Sequence, residues 1–476
     1  MTEMRERRRR RSPERRPSEV LTIEAGAFAG RTGGTLVEKL DHALFLGLCL
    51  ILLAAPLAFG AVDPVATAVL EIAATLLFLL WCVKAVCSEE VQIQRNPLFL
   101  PMACFALAVA MQLSFGLSVY AEATRHEAGV YVAYAFVAFV AAQIFKDEAR
   151  QRQFMVIFAI YGALLAVFGI IQNLSSNGMI YWVHKQHWPG PFFGPYDNRD
   201  HFSGMMEMLA PFALLLALSH RLQAGHRMLA GFAGLVMGVS IFFSASRGGA
   251  ISFIAQLLFL GAVSFSQKQS KQVRWGIFFT LLCSVIFLFW LGASPILTRW
   301  LPSKLHEEAT IGRLPVTLDT LKLGAMKPIL GWGLGTFPTV YPQYRSFYTD
   351  LLVNQAHDDY AQIWMETGIA GTIALLWFLF VMWREALRRI QRGSLWRHQV
   401  NVRFAAFTGC VGLMVHSAGD FNLHIPANAM MFYVLCTLAC VKSNNSVVRE
   451  MPMRKSMQMA EHDTQDSDDP PSQPHG

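Results

Sequence analysis

Apolar stretches long enough to cross a bilayer recur along most of this chain, with short, basic loops between them. About twelve spans can be read, at residues 43–61, 65–83, 97–116, 128–145, 154–173, 202–219, 228–244, 248–266, 275–293, 368–383, 404–419 and 425–441. Several sit near the lower length limit for a transmembrane helix. The expected class is all-α, a polytopic membrane protein of about twelve helices. Composition agrees, because 54% hydrophobic against 15% charged residues is unlike a set of soluble domains.

The formal net charge of +7 raises the question of nucleic acid, but the basic residues lie mostly in a terminal run and in short loops between spans. Orientation accounts for them better, and no nucleic-acid partner is expected. With the Arg5–Arg16 run inside, the inner loops carry Lys84 and Arg95, then Lys146, Arg150 and Arg152, then Arg221 and Arg227, then Lys268, Lys271 and Arg274, and finally the arginines from Arg384 to Arg403. The short outer loops are poor in lysine and arginine, which is the asymmetry that fixes orientation. Both termini are then cytoplasmic. Residues 1–40 read as a disordered basic tail, 41–441 as the transmembrane domain, and 442–476 as a second disordered tail ending in a polar, proline-bearing stretch. No short apolar core with a cleavage site follows the arginines directly, so a cleaved signal peptide is not expected. The 8 cysteines fall in or beside apolar spans, so no disulfide framework is expected.

One outer segment is much longer than the rest. It covers residues 294–366, between the ninth and tenth spans, and carries two helical patterns. The first opens at Arg313-Leu314-Pro315, where proline suits the first helical turn, and Leu314, Leu318, Leu321 and Ala325 recur at roughly helical spacing. Arg313 is then expected at a helix N-terminus, where a guanidinium fork joins unpaired backbone N–H groups in a receptor suited to a phosphate or diphosphate. The second pattern starts at Asp358-Asp359-Tyr360, with acids at the favourable end of the helix and His357 at its mouth. Histidine there supplies a group that titrates near neutrality and can act as a base.

Other residues invite both plain and functional readings. The segment Asn173 to His201 looks like an ordered capping or re-entrant loop. Glu207 lies inside the following span, where an acid is costly unless it faces the bundle interior and has a partner. Arg247, between two glycine-flanked spans, is an outer-surface anchor or a pocket cation. His416 and Asp420, one helical turn apart, can pair. His184 and His187 have a metal-compatible spacing with no third ligand pattern, so no metal is expected there. No phosphate-cradling glycine motif of a nucleotide enzyme is present, and Gly331-Trp332-Gly333-Leu334-Gly335 reads as a turn.

Together these residues resemble the O-antigen ligase and O-antigen polymerase superfamily of bacterial membrane glycosyltransferases (WaaL-like and Wzy-like). His357-Asp358, nine residues, Gly368, two residues and Gly371 are similar in spacing to the ligase pattern, with Asp358 standing where that pattern has an amide or serine. Asn198-Arg199-Asp200-His201-Phe202, Ser246-Arg247-Gly248-Gly249, the Arg313 helix leading to Pro328–Gly335, and Asp420–Asn428 are similar in order and spacing.

The resemblance implies a GT-C-like membrane fold and a metal-independent, inverting transfer of a glycan from an undecaprenyl-diphosphate carrier to an acceptor hydroxyl. It places that chemistry at the periplasmic face of the bacterial inner membrane, in surface or exopolysaccharide biosynthesis, with no cofactor. In that picture Arg247 and Arg313 hold the diphosphate and His357 is catalytic, with Arg199, His201, Glu207, Asp358 and Asp420 in support. Donor, glycan or lipid acceptor, and a chain-length regulator or assembly protein are the implied partners. Two other classes fit the spans: a lipid-linked glycan flippase or transporter, and a non-catalytic scaffold for polysaccharide assembly. A transporter has little use for a late 294–366 segment bearing Arg313 and His357, and a scaffold would keep the spans but tolerate loss of both residues.

The orientation is testable with reporter fusions. A reporter active only in the cytoplasm should be silent at residue 340 and active at residue 395. Activity at 340 would invert the topology and remove the outward-facing chemistry.

Overall fold

A computed structural model of the chain describes residues 20–24, 33–88, 90–185, 191–219, 222–266, 312–350, 352–392 and 402–441, with isolated helical positions at 275, 278 and 282. The helices are α1 (Gly33–Leu57), α2 (Pro64–Cys87), α3 (Phe99–Ser114), α4 (Ala121–Ile144), α5 (Glu148–Leu174), α6 (Arg199–Ala217), α7 (Ala224–Phe243), α8 (Arg247–Ser266), α9 (Arg313–Met326), α10 (Asp359–Arg392), α11 (Val402–His416) and α12 (Pro426–Cys440). Their starts follow local chemistry. The Asp147 carboxylate accepts from Ala149 N ahead of α5, and the Asn198 side chain accepts from Asp200 N ahead of α6. Prolines at the first turn open α2 and α12, where a missing N–H costs nothing.

Among the described residues six helices are long and apolar enough to cross a membrane: Thr35–Leu57, Pro64–Cys87, Ala121–Ile144, Glu148–Leu174, Ala224–Phe243 and Asp359–Arg388. Shorter apolar helices cover Phe99–Ser114, Arg247–Val263, Val402–His416 and Pro426–Cys440. The sequence-read spans coincide with helices apart from 275–293, which lies outside the described residues. The longest departure is the tenth span. It is expected at 368–383, but α10 runs on to Arg392, because its polar last turns still satisfy the backbone ladder outside the apolar stretch.

Residues 1–40 are not structureless throughout. Val20–Glu24 forms strand β1, paired antiparallel with β2 (Glu90–Gln94) in the register Val20 opposite Gln94 and Glu24 opposite Glu90, and α1 already starts at Gly33. The exposed backbone edge of β2 gives the incoming segment a full set of hydrogen-bond partners.

The bundle is built around α6 and α12, which are buried on nearly all sides. α6 packs against α5, α7 and α11, and α12 against α4 and α11. Outer helices keep large apolar side chains turned outward, among them Leu46, Leu50, Val69, Ile72, Leu76, Leu107, Ile160, Leu164, Phe232, Leu376 and Phe380. An apolar surface of that extent needs a lipid solvent. Polar side chains inside also tie helices to one another. Gln256 Nε2 donates to the carbonyls of Glu207 (2.8 Å) and Thr408 (2.9 Å), tying α8 to α6 and α11.

α9, the glycine turn and the start of α10 form a smaller cap with its own core of Val316, Leu323, Trp332, Phe337, Val340, Tyr341, Ala356 and Met365. The helix expected from the spacing of Leu314, Leu318 and Leu321 is present, with those leucines on its exposed face, since α9 meets α10 through Val316, Leu323 and Gly324. The turn expectation for residues 331–335 is borne out, with positive φ at Gly331, Gly333 and Gly335. This turn is locked to α10 where that helix breaks. Gly368 has φ +59°, and the freed groups exchange partners: Trp332 N donates to Met365 O (3.1 Å), Gly333 N to Glu366 O (2.9 Å), and Ile369 N to Pro328 O (2.7 Å). Gln112 of α3 reaches into the same lock, donating to Glu366 O (2.7 Å) and accepting from Leu334 N (3.1 Å).

A side chain at Gly368 has no room, because its Cβ would stand 2.6 Å from Pro328 O, and the φ is one that L-residues rarely adopt. We expect Gly368→Ala to destabilise the purified protein by roughly 1–3 kcal/mol from the backbone conformation alone, with the clash adding to it. The measurement is thermal unfolding in detergent; an unchanged midpoint would mean that the break at Gly368 is not required.

Candidate functional site

The site forms where four separate stretches of sequence meet on one side of the bundle: the N-terminus of α6, the N-terminus of α8, the cap, and the segment between α11 and α12. Arg313 is the first residue of α9, as expected. Its guanidinium is divided between two partners, Nη2 donating to Asp200 Oδ2 (2.6 Å) and Nη1 to the carbonyl of Gly419 (2.6 Å). The side chain is still 38% exposed, so it is not sealed off from solvent. Burial works against its charge, yet Asp420 and Asp200 outweigh that and raise its pKa.

Asp420 is wholly buried. Burial would raise its pKa, but Arg313, the facing His357 imidazole, and then His201 and His416 together hold the carboxyl far below the usual carboxylate range. Its Oδ1 accepts from Phe421 N (2.9 Å) and faces His357 Nδ1 at 3.5 Å, while Oδ2 faces His416 Nε2 at 3.7 Å. The Phe421 ring lies edge-on to both His357 and His201, at 4.8 and 4.6 Å between centroids.

His357 sits just before α10 with φ +53°, a left-handed conformation uncommon for a non-glycine residue. Asp358 accounts for the turn that follows, because its Oδ1 accepts from both Tyr360 N and Ala361 N (3.0 Å each) and caps α10. Aspartate at 358 thus does the capping that asparagine or serine would do. Burial raises the Asp358 pKa against those two backbone bonds. A second left-handed residue, Ala245 (φ +55°), turns the chain before Arg247, the first residue of α8, which lies within electrostatic reach of Arg313 and Asp200. Two strained turns on the same site are consistent with a binding surface whose shape is held by its surroundings.

Behind Asp420 lies a second imidazole. Glu207 and His416 are fully buried, and Glu207 Oε1 meets His416 Nδ1 at 2.9 Å, so the costly acid of α6 has its partner. Gly248 makes room for the ring, since a Cβ there would stand 2.6 Å from His416 Nε2. On the far side of the segment, His424 Nδ1 meets Asp359 Oδ1 at 2.7 Å, and Leu423 N donates to Asp359 Oδ2 (3.0 Å).

The structure therefore brings together Arg247, Arg313, His357, Asp358, Asp420, Glu207 and His201, all of them candidates from the sequence. Arg199 opens α6 beside them, its N–H donating to Pro191 O (3.2 Å). Of the histidines weighed for metal, His184 stacks on Phe59 (4.3 Å between centroids) and His187 lies outside the described residues. Sequence reasoning passed over Asp200, His416 as a member of the site, and the Asp359–His424 pair. Asp200 stands inside the quoted Asn198–Phe202 motif, and an acid between an arginine and a histidine was the available signal. Asp200, His416 and Asp420 each offer a ligand atom within 4.8 Å of the others, the group among the described residues that could hold a metal ion. Arg313 is already on Asp200 Oδ2, so a cation there would share that carboxylate with the guanidinium.

Residues 232–376 match the protein-family model described as O-Antigen ligase, a region running from α7 through Arg247, Arg313 and His357 into α10. No curated protein matches the chain.

The His424–Asp359 pair gives a pH dependence with a definite sign. Burial would lower the His424 pKa, but the Asp359 hydrogen bond and charge, with Glu366 and Glu127 further off, raise it from 6.5 to about 9. A histidine whose folded pKa is raised stabilises fully below its unfolded value, and this contribution is lost as pH rises through the folded one. Thermal midpoints in detergent should fall between pH 6.5 and about 9, and His424→Gln should flatten that part of the profile. An equally steep fall in the variant would assign the dependence to another group.

Proposed function

From the O-antigen ligase match over residues 232–376, which supports membership of the O-antigen ligase and polymerase superfamily, we propose that this multi-pass membrane protein is a glycosyltransferase acting on a lipid-linked glycan. The donor is an undecaprenyl-diphosphate-linked glycan and the acceptor a hydroxyl of a glycan or lipid. The reaction runs at the periplasmic face of the inner membrane, with both termini cytoplasmic. The observation that carries this reading is the convergence of Arg247, Arg313 and His357 on one partly open site, although they are separated by long stretches of chain.

Each residue then has a role set by its chemistry. The diphosphate gains charge as it leaves, so two guanidinium groups aimed at it stabilise the transition state more than the ground state. His357 has Nδ1 turned to Asp420, which leaves Nε2 to take the proton of the acceptor hydroxyl. As that oxygen bonds to the anomeric carbon, the bond from this carbon to the diphosphate oxygen breaks and its electron pair leaves with the diphosphate. Attack from the face opposite the leaving group inverts the anomeric centre. Asp420 stabilises the imidazolium that forms, in the way a buried aspartate serves a catalytic histidine. The positive charge opposing the leaving group comes from arginine, so no divalent cation is needed for the step.

The test is release of undecaprenyl diphosphate by purified protein in detergent, without ATP and with a chelator present. Wild type should release it, and His357→Ala should be slower on the order of 100-fold to 10,000-fold, the usual worth of a positioned base. Equal rates would remove His357 from the chemistry, and no release by wild type would favour a transporter.

A further inference from the structure

His416 is a wholly buried imidazole with a carboxylate at each nitrogen, Glu207 Oε1 at 2.9 Å from Nδ1 and Asp420 Oδ2 at 3.7 Å from Nε2. A neutral imidazole carries one N–H and can donate to only one of them. Three buried carboxylates, Glu207, Asp200 and Asp420, crowd this end of α6 and α11, and Arg313 is engaged with Asp200 and Gly419. Buried acids in such number need positive charge close by.

The remaining valences point in one direction. Glu207 Oε2, Asp420 Oδ2 and His416 Nε2 are buried without a hydrogen-bond partner, and so is His357 Nδ1 on the other side of Asp420. The groups lie in a row: Glu207, His416, Asp420, His357. The two loose gaps in that row, 3.7 and 3.5 Å, both flank Asp420. Contacts of this kind are often long without substrate and tighten when the reacting groups are in place. A shift of the Asp420 carboxylate of well under 1 Å toward either ring would close a hydrogen bond.

We propose that the Glu207–His416 pair is a positioning device for the catalytic histidine: His416, charged and anchored by Glu207, fixes Asp420 as a carboxylate aimed at His357 Nδ1, which sets the His357 tautomer with Nε2 free for the acceptor proton. This rests on the glycosyltransferase reading of the site. His416 and Glu207 touch no substrate in it; they act only through Asp420. The arrangement extends a His–Asp pair by one further imidazole and carboxylate, as outer groups do when they orient an inner one.

A positioning role predicts a particular pattern in the release assay. His416→Phe, which keeps a ring in the dry site but removes both nitrogens, should lower kcat about 100-fold and leave KM for the lipid donor within about twofold. Glu207→Gln, which keeps an acceptor for Nδ1–H without the charge, should lose about 10-fold, giving a second variant should the first not fold. The decisive measurement is the double-mutant cycle. In a His357→Ala background, His416→Phe should cost nothing further, because there is no base left to position. A full additional loss in the double variant, or a change in KM alone, would overturn the proposal and make His416 structural or a donor contact. Inhibition of wild type by a chelator, reversed by a divalent ion, would overturn it as well, by assigning Asp200, His416 and Asp420 to a cation. Absence of release by wild type would count instead against the glycosyltransferase reading.

Discussion

A carboxylate buried as completely as Asp420 cannot stay charged without compensation, and the site follows from the ways in which the chain supplies it. Isolated, such a group would be protonated or would destabilise the fold by several kcal/mol. Here Arg313 arrives from the cap, His357 from the turn before α10, His416 from the end of α11 and His201 from the start of α6. Two of these groups are also tied elsewhere, Arg313 to Asp200 and His416 to Glu207. One acid thus fixes the relative placement of four elements that share no local sequence.

The cap can deliver Arg313 and His357 together because of the backbone lock at Gly368. α10 serves as cap helix at its first turns and as membrane helix further on, and the break between these parts exposes carbonyls and N–H groups that hydrocarbon would not tolerate unpaired. The glycine turn supplies their partners, with Gln112 and Glu366 completing the set. Two glycines with left-handed backbone, Gly331 and Gly368, are needed because the two chains approach too closely for any Cβ. His357, eleven residues before the break and just ahead of a capped helix, inherits its position from that contact.

Much of this was legible in the chain. The membrane-helical class follows from apolar length and composition, the helix starts at Arg313 and after Asp358 follow from proline and capping chemistry, and the turn at 331–335 follows from glycine spacing. Glu207 could be expected to face inward with a partner, because an acid in a span has no other affordable place. The leucine spacing of α9 located the helix but not its buried side: helical spacing identifies a face and not its surroundings, and here that face is turned out while Val316 and Leu323 form the core. The strand in the N-terminal segment had no visible counterpart, since pairing depends on an edge at Glu90–Gln94, some seventy residues away.

By itself, then, the sequence determined the kind of solvent this protein needs, the helices that meet it and the candidate titratable and charged groups, because hydropathy, capping and titration are properties of residues and their near neighbours. Only the tertiary structure decided which acid answers which base. Asp200 meets Arg313, Glu207 meets His416 and Asp359 meets His424 across long stretches of chain, and nothing local distinguishes these pairings from others. They are selected by packing, since each buried charge is tolerated only where the fold brings its counter-charge within hydrogen-bond reach.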